Sequence, residues 1–444
     1  MITALGADIF AGLFTVGVRK AGFAVLAHLE HGNYGAKTCA LNFPDLSVRV
    51  GRNTWNERDF RGKVDLMFCN PPCAAWSVLR RGGSWRQQSD RLQYIRDIVN
   101  AGIVVRPKAW CWESVVPAWK QGRSFVIEQA KRWLDAGWHT TVLLQDNQYL
   151  GVPQRRPRMF LIAHRHPLVW PRFTKPRTVQ DVLTQCGASR DRGVPTPRVL
   201  SPLERALWRE SAKFRGRLRQ AYESMSPTDI ERLLVKGGSR PGVTGRPLNA
   251  QRRLILDKPA PVMLGGSDKR YHPTEPRFVT WDECLAFVGL PRTWKTACGD
   301  NYAAATYELS RAVMPGVGEW IGRAVRDGFD RPLLPRRPQC RVVDLRNPDV
   351  MTDEELDTRS FEEAGTPPLA DDVPPPQARQ ISTRASVSAP LRRLGSGHRI
   401  RCLLTDGRDV DTILEIIHRE FPNSKATKSD VYWNRRKLAN DGHP

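Results

Sequence analysis

Five short apolar runs in the first 165 residues, FAVLAHLE, VDLMFC, AWCWES, HTTVLLQD and RMFLIAHR, alternate with longer polar or amphipathic stretches. This alternation constrains the fold more than any other feature. Each run is strand-sized and most intervals can hold a helix, so the pattern predicts an α/β architecture with a doubly wound parallel sheet. Sheets of this kind gather ligands in the crevice at the carboxyl ends of their strands. VDLMFC leads directly into Asn70, Pro71, Pro72 and Cys73. Proline lacks the ladder donor and fixes its own φ, so the strand ends there and Cys73 is held on a stiff loop. A thiol so placed suits a nucleophile, and equally a buried structural cysteine, since free cysteine is among the most buried residue types.

Beyond residue 165 the pattern changes. Residues 166–250 are rich in Arg and Pro and carry SPLERALWRESAKFRGRLRQAYESM, which reads as a basic amphipathic helix in an inserted smaller domain. Apolar periodicity returns over 251–330, where LSRAVMPGVGEWIGRAVRDGF reads as a helix packing back onto the first sheet. Residues 331–396 turn to Pro, Arg, Asp and Ser and read as a disordered linker, too polar to bury a core. Residues 397–444 offer two amphipathic helices around FPNSKAT, with Thr427 or Ser429 as a cap on the second. This pattern fits a helix-turn-helix or a small helical module for protein contacts, and the aromatic and basic YWNRRKL favours DNA.

Charge narrows the partners. Lys and Arg number 69 against 46 Asp and Glu, a formal +23, which is the footprint of a polyanion binder. No uninterrupted apolar stretch reaches the roughly 18–20 residues needed to span a bilayer. The apolar N-terminus lacks a basic start and is interrupted by Asp8, Arg19 and Lys20, which argues against an export signal. Nine cysteines, odd in number and without CxxC pairs, point to reduced thiols in a cytoplasm and to no metal site.

Four segments in order, DIFAG, NPPCAAWS, WESV and GVPQRRPRMFLIA, resemble the cytosine-5 DNA methyltransferases of bacteria and phages. The resemblance runs over about residues 5–330 and includes KPAPV at 258–262, HPTEPRFVTWDECLAFVGLP at 272–291 and the closing helix. It implies a Rossmann-like S-adenosylmethionine-dependent fold at 1–165 and 251–330, a target-recognition domain at 166–250, and a C-terminal helical module. The implied activity is methyl transfer from S-adenosylmethionine to C5 of cytosine in double-stranded DNA, as in restriction–modification, through a Cys73–C6 adduct on a flipped base. The chemistry accounts for the residues. C5 is a poor nucleophile until a thiolate adds at C6, and a carboxyl group at N3 eases that addition. The resemblance gives these roles to Cys73 and Glu113. Arg158 stands where the family holds an arginine near the cytosine carbonyl oxygen, with Arg156 supporting it; by itself, an arginine cluster in a basic chain reads as a solvated face or a phosphate contact. Phe10, Ala11 and Gly12 match the cofactor loop, Glu30 ends the next strand where an acid accepts from ribose hydroxyls, and Pro71, Arg311, Ala312 and Val313 complete the implied cofactor contacts. A monomer acting in the cytoplasm of a bacterium or of a phage-infected host, with no membrane partner, is expected.

Several positions depart from the family. The loop LFTVGVRKAGF lacks the usual glycine pair, AAW follows Cys73, and Ser114 replaces an asparagine. In LSRAV, Arg311 also stands in place of asparagine, and a guanidinium close to a sulfonium is unfavourable. Either the side chain turns to solvent or pairs with a carboxylate or DNA phosphate, or it recognises an anionic group on the transferred carbon. The second reading implies carboxy-S-adenosylmethionine as donor and 5-carboxymethylcytosine as product. A DNA-binding protein that has lost catalysis, and an RNA cytosine methyltransferase, are the remaining alternatives.

Overall fold

The computed structural model describes residues 1–33, 35–76, 89–187, 195–197, 199–235, 252–262, 270–335, 337–346, 409–420 and 431. The chain divides into two units, Met1–Pro367 and Pro368–Pro444.

The first unit is built on an eight-stranded sheet of β1 (Thr3–Ala7), β2 (Ala24–Glu30), β3 (Ser47–Val50), β4 (Leu66–Cys69), β5 (Ala109–Val115), β6 (His139–Asp146), β8 (Pro157–His164) and β12 (Cys340–Leu345), in the order β12-β6-β8-β5-β4-β1-β2-β3. All five runs read as strands from the sequence lie in it, but the sheet is not wholly parallel. β8 runs antiparallel to both β5 and β6. The reason is chain length: a parallel return needs a crossover of a dozen or more residues, usually helical, and only a 3₁₀ turn (Asn147–Tyr149) and the two-residue β7 (Gln154–Arg155) separate β6 from β8.

β12 corrects the assignment of 331–396 as linker, because its Cys340–Leu345 pairs in parallel along Thr140–Gln145. The β-branched pair Val342–Val343 lies between Arg- and Pro-rich flanks, and a composition average hides it.

Helices cover both faces. On one, α1 (Leu13–Lys20) packs against α12 (Pro315–Gly328), so closely that a Cβ on Gly17 would lie 2.1 Å from the Pro315 carbonyl oxygen. On the other, α3 (Ser89–Val105) and α5 (Arg123–Asp135) bury a core containing Trp110, Trp112, Trp133 and Trp138. α2 (Ala36–Asn42) follows β2, and α4 (Val116–Gln121) follows β5. The closing segment is two helices rather than one: α11 (Tyr302–Arg311) stops before Pro315, which starts α12. The residue before a proline is biased away from the helical region, and Met314 is extended at ψ 147°.

The boundaries of the inserted region also shift. α6 (Val179–Cys186) buries Val179 and Val182 in the main core, beside α10 (Trp281–Val288). A separate small core gathers Leu203, Leu207 and Trp208 of α7 (Pro202–Glu210) and Leu218 and Ala221 of α8 (Leu218–Ser224), together with Tyr271 and Phe278. α9 (Pro227–Val235) adds partly buried Leu233 and Leu234. The expected single helix over 201–225 breaks at Arg215 and Gly216, both at positive φ. β9 (Arg252–Arg253) pairs with β11 (Arg270–Tyr271), and β10 (Ala260–Pro261) pairs with β7, which ties the segment after the insertion to the strand pair leading into β8.

In the second unit, α13 (Val410–Glu420) buries Ile413 and Ile417 with Val431. The second expected helix and its caps, Thr427 and Ser429, lie outside the described residues. No described helix is long and apolar enough to cross a membrane.

Candidate active site

The carboxyl ends of β4 and β5 bring the catalytic candidates together. After β4, Asn70 donates its backbone N–H to Ala7 at 3.3 Å, and Pro71 and Pro72 carry the chain into a 3₁₀ turn that starts at Cys73. Cys73 keeps part of its surface open, whereas Cys69, four residues earlier, is fully buried in the sheet. Glu113 lies near the end of β5 and is 3% exposed. The antiparallel register pairs Glu113 with Phe160 and Val115 with Arg158, so Arg158 sits diagonal to Glu113 on the same face. The Arg158 Nε accordingly meets Glu113 Oε1 at 2.7 Å. The second carboxylate oxygen accepts from Asn70 Nδ2 at 2.5 Å. Arg158 also donates from Nη1 to the Pro157 carbonyl at 2.8 Å, and among the described residues its Nη2 has no partner.

Arg156, on the chain leading into β8, is 3% exposed. Its N–H donates to Asp146 Oδ1 at 2.8 Å and its Nη2 to the Ala312 carbonyl at 3.3 Å, while Nε and Nη1 have no hydrogen-bond partner. Ala312 and Val313, between α11 and α12, are thereby brought to the same cluster.

These charges shift one another. Burial pushes the Glu113 carboxyl above its ordinary range, and the Arg158 and Arg156 guanidinium groups pull against that. Burial and the Glu113 charge likewise raise the Cys73 thiol, opposed by Arg158 and Arg156. Arg156 itself falls to about 9, because it is desolvated and because Arg158 repels it. The cluster therefore contains a carboxyl biased toward holding a proton, and a thiol whose anion has two guanidinium groups to stabilise it.

Next to it, at the end of β1, lies a strained turn. Asp8 (φ 54°), Phe10 (φ 57°) and Gly12 (φ 90°) are all left-handed. Glu30, 1% exposed at the end of β2, holds this turn by accepting from the N–H of Ile9 at 2.7 Å and of Phe10 at 3.4 Å. Burial and neighbouring Asp8 push its carboxyl well upward. Ala11 is fully buried, and a Cβ on Gly35 would approach its N–H nitrogen to 2.7 Å. The Arg311 guanidinium carbon stands 5.0 Å from the centre of the Phe10 ring and 5.1 Å from that of Tyr307. The loop-matching residues Phe10, Ala11, Gly12 and Glu30 thus form one group, with Arg311 on its rim. Ala7 pairs with Cys69 across β1 and β4, which sets this group beside Asn70 and the catalytic cluster.

Three groups escaped the sequence reading. Asn70 serves there only as a strand breaker, yet its amide buttresses Glu113, and its Oδ1 is buried without a partner. Its place just before Pro-Pro-Cys is the one available signal. Asp8 accepts from the Tyr94 hydroxyl at 2.6 Å and from the His31 N–H at 3.0 Å, and the His31 ring lies 4.1 Å from that of Tyr94. Nothing in the spacing of Asp8 and Tyr94 announces this pairing.

These groups fit an adenosyl cofactor. Glu30 uses two of its four acceptor positions on the turn, leaving capacity for hydroxyl donors, and Asn70 Oδ1 is a buried acceptor that still lacks a donor. No group of His, Cys, Asp and Glu able to hold a metal ion occurs among the described residues.

The family model described as C-5 cytosine-specific DNA methylase matches residues 6–327. The chain is 23% identical over 341 residues to the type II methyltransferase M1.HphI of Haemophilus parahaemolyticus, covering 72% of this chain and 85% of that one. It is also 23% identical over 262 residues to the type II methyltransferase M.HpaII of Haemophilus parainfluenzae, covering 56% and 69%. Among solved structures, a protein encoded within an E. coli prophage and described as a DNA modification methyltransferase shares the fold. Its TM-score is 0.53 at 16% identity, over 74% of this chain and all of that one.

Proposed function

The chain belongs to the C-5 cytosine-specific DNA methylase family, whose members use S-adenosylmethionine to methylate C5 of cytosine in DNA, and we propose that Cys73, Glu113, Arg156 and Arg158 carry out that reaction here. One observation carries the assignment: the Glu113 carboxyl, clamped by Arg158 and Asn70, lies in the same buried cluster as a partly open thiol.

The Cys73 thiolate forms a bond to C6 of a cytosine swung out of the duplex, and the displaced electron pair moves into the ring toward N3 and O2. Glu113 supplies a proton at N3, and the Arg158 Nη2, without a partner among the described residues, donates to the carbonyl oxygen where negative charge grows. Arg156 sits behind, its buried charge favouring the thiolate over the thiol. S-adenosylmethionine, when bound, would supply a methyl group from its sulfonium to the now electron-rich C5, leaving as the neutral thioether. Loss of the C5 proton to water, return of the N3 proton to Glu113 and departure of the thiolate restore the aromatic ring and the starting state of the site. Phe10, Ala11, Gly12, Glu30, Pro71, Ala312 and Val313 would hold the cofactor, with Glu30 accepting from its ribose hydroxyls. Double-stranded DNA is the substrate form, and the helical insertion around α7 and α8 selects the target.

A second reading concerns the donor. Arg311, half-buried between the Phe10 and Tyr307 rings at the rim of the cofactor group, is placed where it could meet an anionic substituent on the transferred carbon, as in carboxy-S-adenosylmethionine.

Incubating duplex DNA with both donors, each isotopically labelled, followed by nucleoside mass analysis, tests both readings. The expected result is 5-methylcytosine that disappears in Cys73→Ala. Full incorporation by Cys73→Ala refutes the assignment, and methyl product alone with both donors present refutes the second reading.

A further inference from the structure

At the opposite end of the strands from Cys73, the chain gathers a set of cations that catalysis does not use. β5 begins at Ala109, β6 at His139 and β8 ends at His164, and the registers set these three residues side by side. Arg106 and Arg165 flank that end. Both guanidinium groups stand over the fully buried Trp138 ring, their central carbons 5.1 and 3.9 Å from its centre. The indole N–H is already used by the Pro107 carbonyl at 3.0 Å. Among the described residues neither guanidinium meets a carboxylate. Arg165 is pulled below its ordinary range by burial and by Arg106, so the two charges repel each other.

Arg106 also adopts φ 57° at the end of α3, a conformation that favours glycine and strains a long side chain. Packing on Trp138 offsets some of that strain. An anion bridging the two guanidinium groups would offset the repulsion. More positive charge surrounds them: Lys63, Lys108, Arg331 and Arg337 are exposed, and among the described residues Lys108 alone of these is held by an acid, Asp65 at 2.8 Å. Backbone bonds place these segments together, from Arg165 N–H to the Lys108 carbonyl at 3.2 Å and from Leu334 N–H to the Arg165 carbonyl at 2.9 Å. With about 3.3 Å of strand per residue, Ala109 lies about 13 Å from Glu113, and Arg106 lies further still.

We infer that Arg106 and Arg165, stacked on Trp138, form a second site for the phosphodiester backbone of nucleic acid, separate from the catalytic cleft. Adjacent phosphates of a strand present the negative charge that paired, fork-shaped guanidinium groups bind best. A lipid surface fits less well: the indole is fully buried and cannot insert. The site lets one protein hold a second stretch of DNA while the cleft works on the first.

The test uses the full chain and a short blunt duplex that cannot wrap around the protein. Native mass spectrometry is expected to show two duplexes per chain, and one for Arg106→Ala/Arg165→Ala. The log–log salt slope of binding should fall by about 1.8 in that variant, two phosphate contacts at about 0.9 each. Arg106→Gly, which relieves the strained φ, should lose about half of that slope change while melting no lower than the parent. Methyl transfer to saturating duplex should persist in both. Unchanged stoichiometry and slope in the double variant overturn the inference, as does loss of binding to phosphatidylserine vesicles with DNA binding intact.

Discussion

Removing Arg158 should make the stability of this protein fall more steeply with rising pH than the parent's does. In the parent, Glu113 is 3% exposed and held by Arg158 at 2.7 Å and Asn70 at 2.5 Å. In Arg158→Ala the carboxylate keeps Asn70 and the more distant Arg156. Breaking a buried pair from one side costs about 3–5 kcal/mol. The lower end applies here, because Arg158 also repels Arg156, and its loss relieves that desolvated guanidinium. The sign follows from Glu113, whose carboxyl is already pushed up by burial and rises further without its cation. A folded-state value above the unfolded one costs nothing below the ordinary glutamate range, and the cost grows as pH rises toward the folded value. With an unfolded glutamate near 4.3, the penalty at pH 5 cannot exceed about 1 kcal/mol, which is 0.7 of a unit at about 1.4 kcal/mol each. At pH 8 it should reach about 3 kcal/mol. Urea or thermal unfolding at the two pH values measures the difference, and Glu113→Gln/Arg158→Ala should flatten it. A deficit equal at pH 5 and pH 8 would refute the reasoning, since lost packing of the arginine stem carries no such dependence. Turnover in Arg158→Ala should fall by about 10²–10³, the scale of one lost donor to a developing oxyanion.

Tyr94→Phe removes a 2.6 Å bond to Asp8 in the cofactor turn, and hydrogen bonds to charged groups are worth about 1.5–3 kcal/mol. It should raise KM for S-adenosylmethionine about tenfold or more with kcat nearly unchanged, and an equal fall in kcat at saturating cofactor would contradict it. Gly17→Ala drives a methyl group against the Pro315 carbonyl oxygen, so α1 and α12 must separate, at a cost of about 1–3 kcal/mol or more read as a lower melting temperature. Arg156→Met should shift the alkaline limb of the rate profile upward, because the Cys73 thiol loses a cation that holds it down against burial and Glu113; a downward shift would sink the assigned role. Deleting 397–444 should flatten the salt dependence of DNA binding if that segment contacts phosphates, and an unchanged slope would count against it.

Much of the site could be read from the residues because its members sit at strand ends. The apolar run before Asn70 and the one containing Trp110 and Trp112 identify β4 and β5 and put Cys73 just past the first and Glu113 near the end of the second, while the roles of the two come from the family resemblance. The direction of β8 was also available, in the short interval between Asp146 and Pro157, but alternation of runs gives strands without directions. β12 was hidden for a different reason: a six-residue edge strand needs few apolar positions, and its flanks carry the linker composition. The break in the 201–225 segment turns on Arg215 and Gly216, where one glycine in a helical pattern is tolerated and signals little. Asn70 to Glu113 and Tyr94 to Asp8 are contacts across 43 and 86 positions, which no local pattern encodes.

The hairpin-like return from β6 into β8 has an evolutionary corollary. Because Glu113 and Arg158 are spaced by the rungs of a ladder, their separation does not depend on what is spliced in farther along the chain. The helices between α6 and β9 can therefore be lengthened, shortened or exchanged wholesale without moving these two side chains apart.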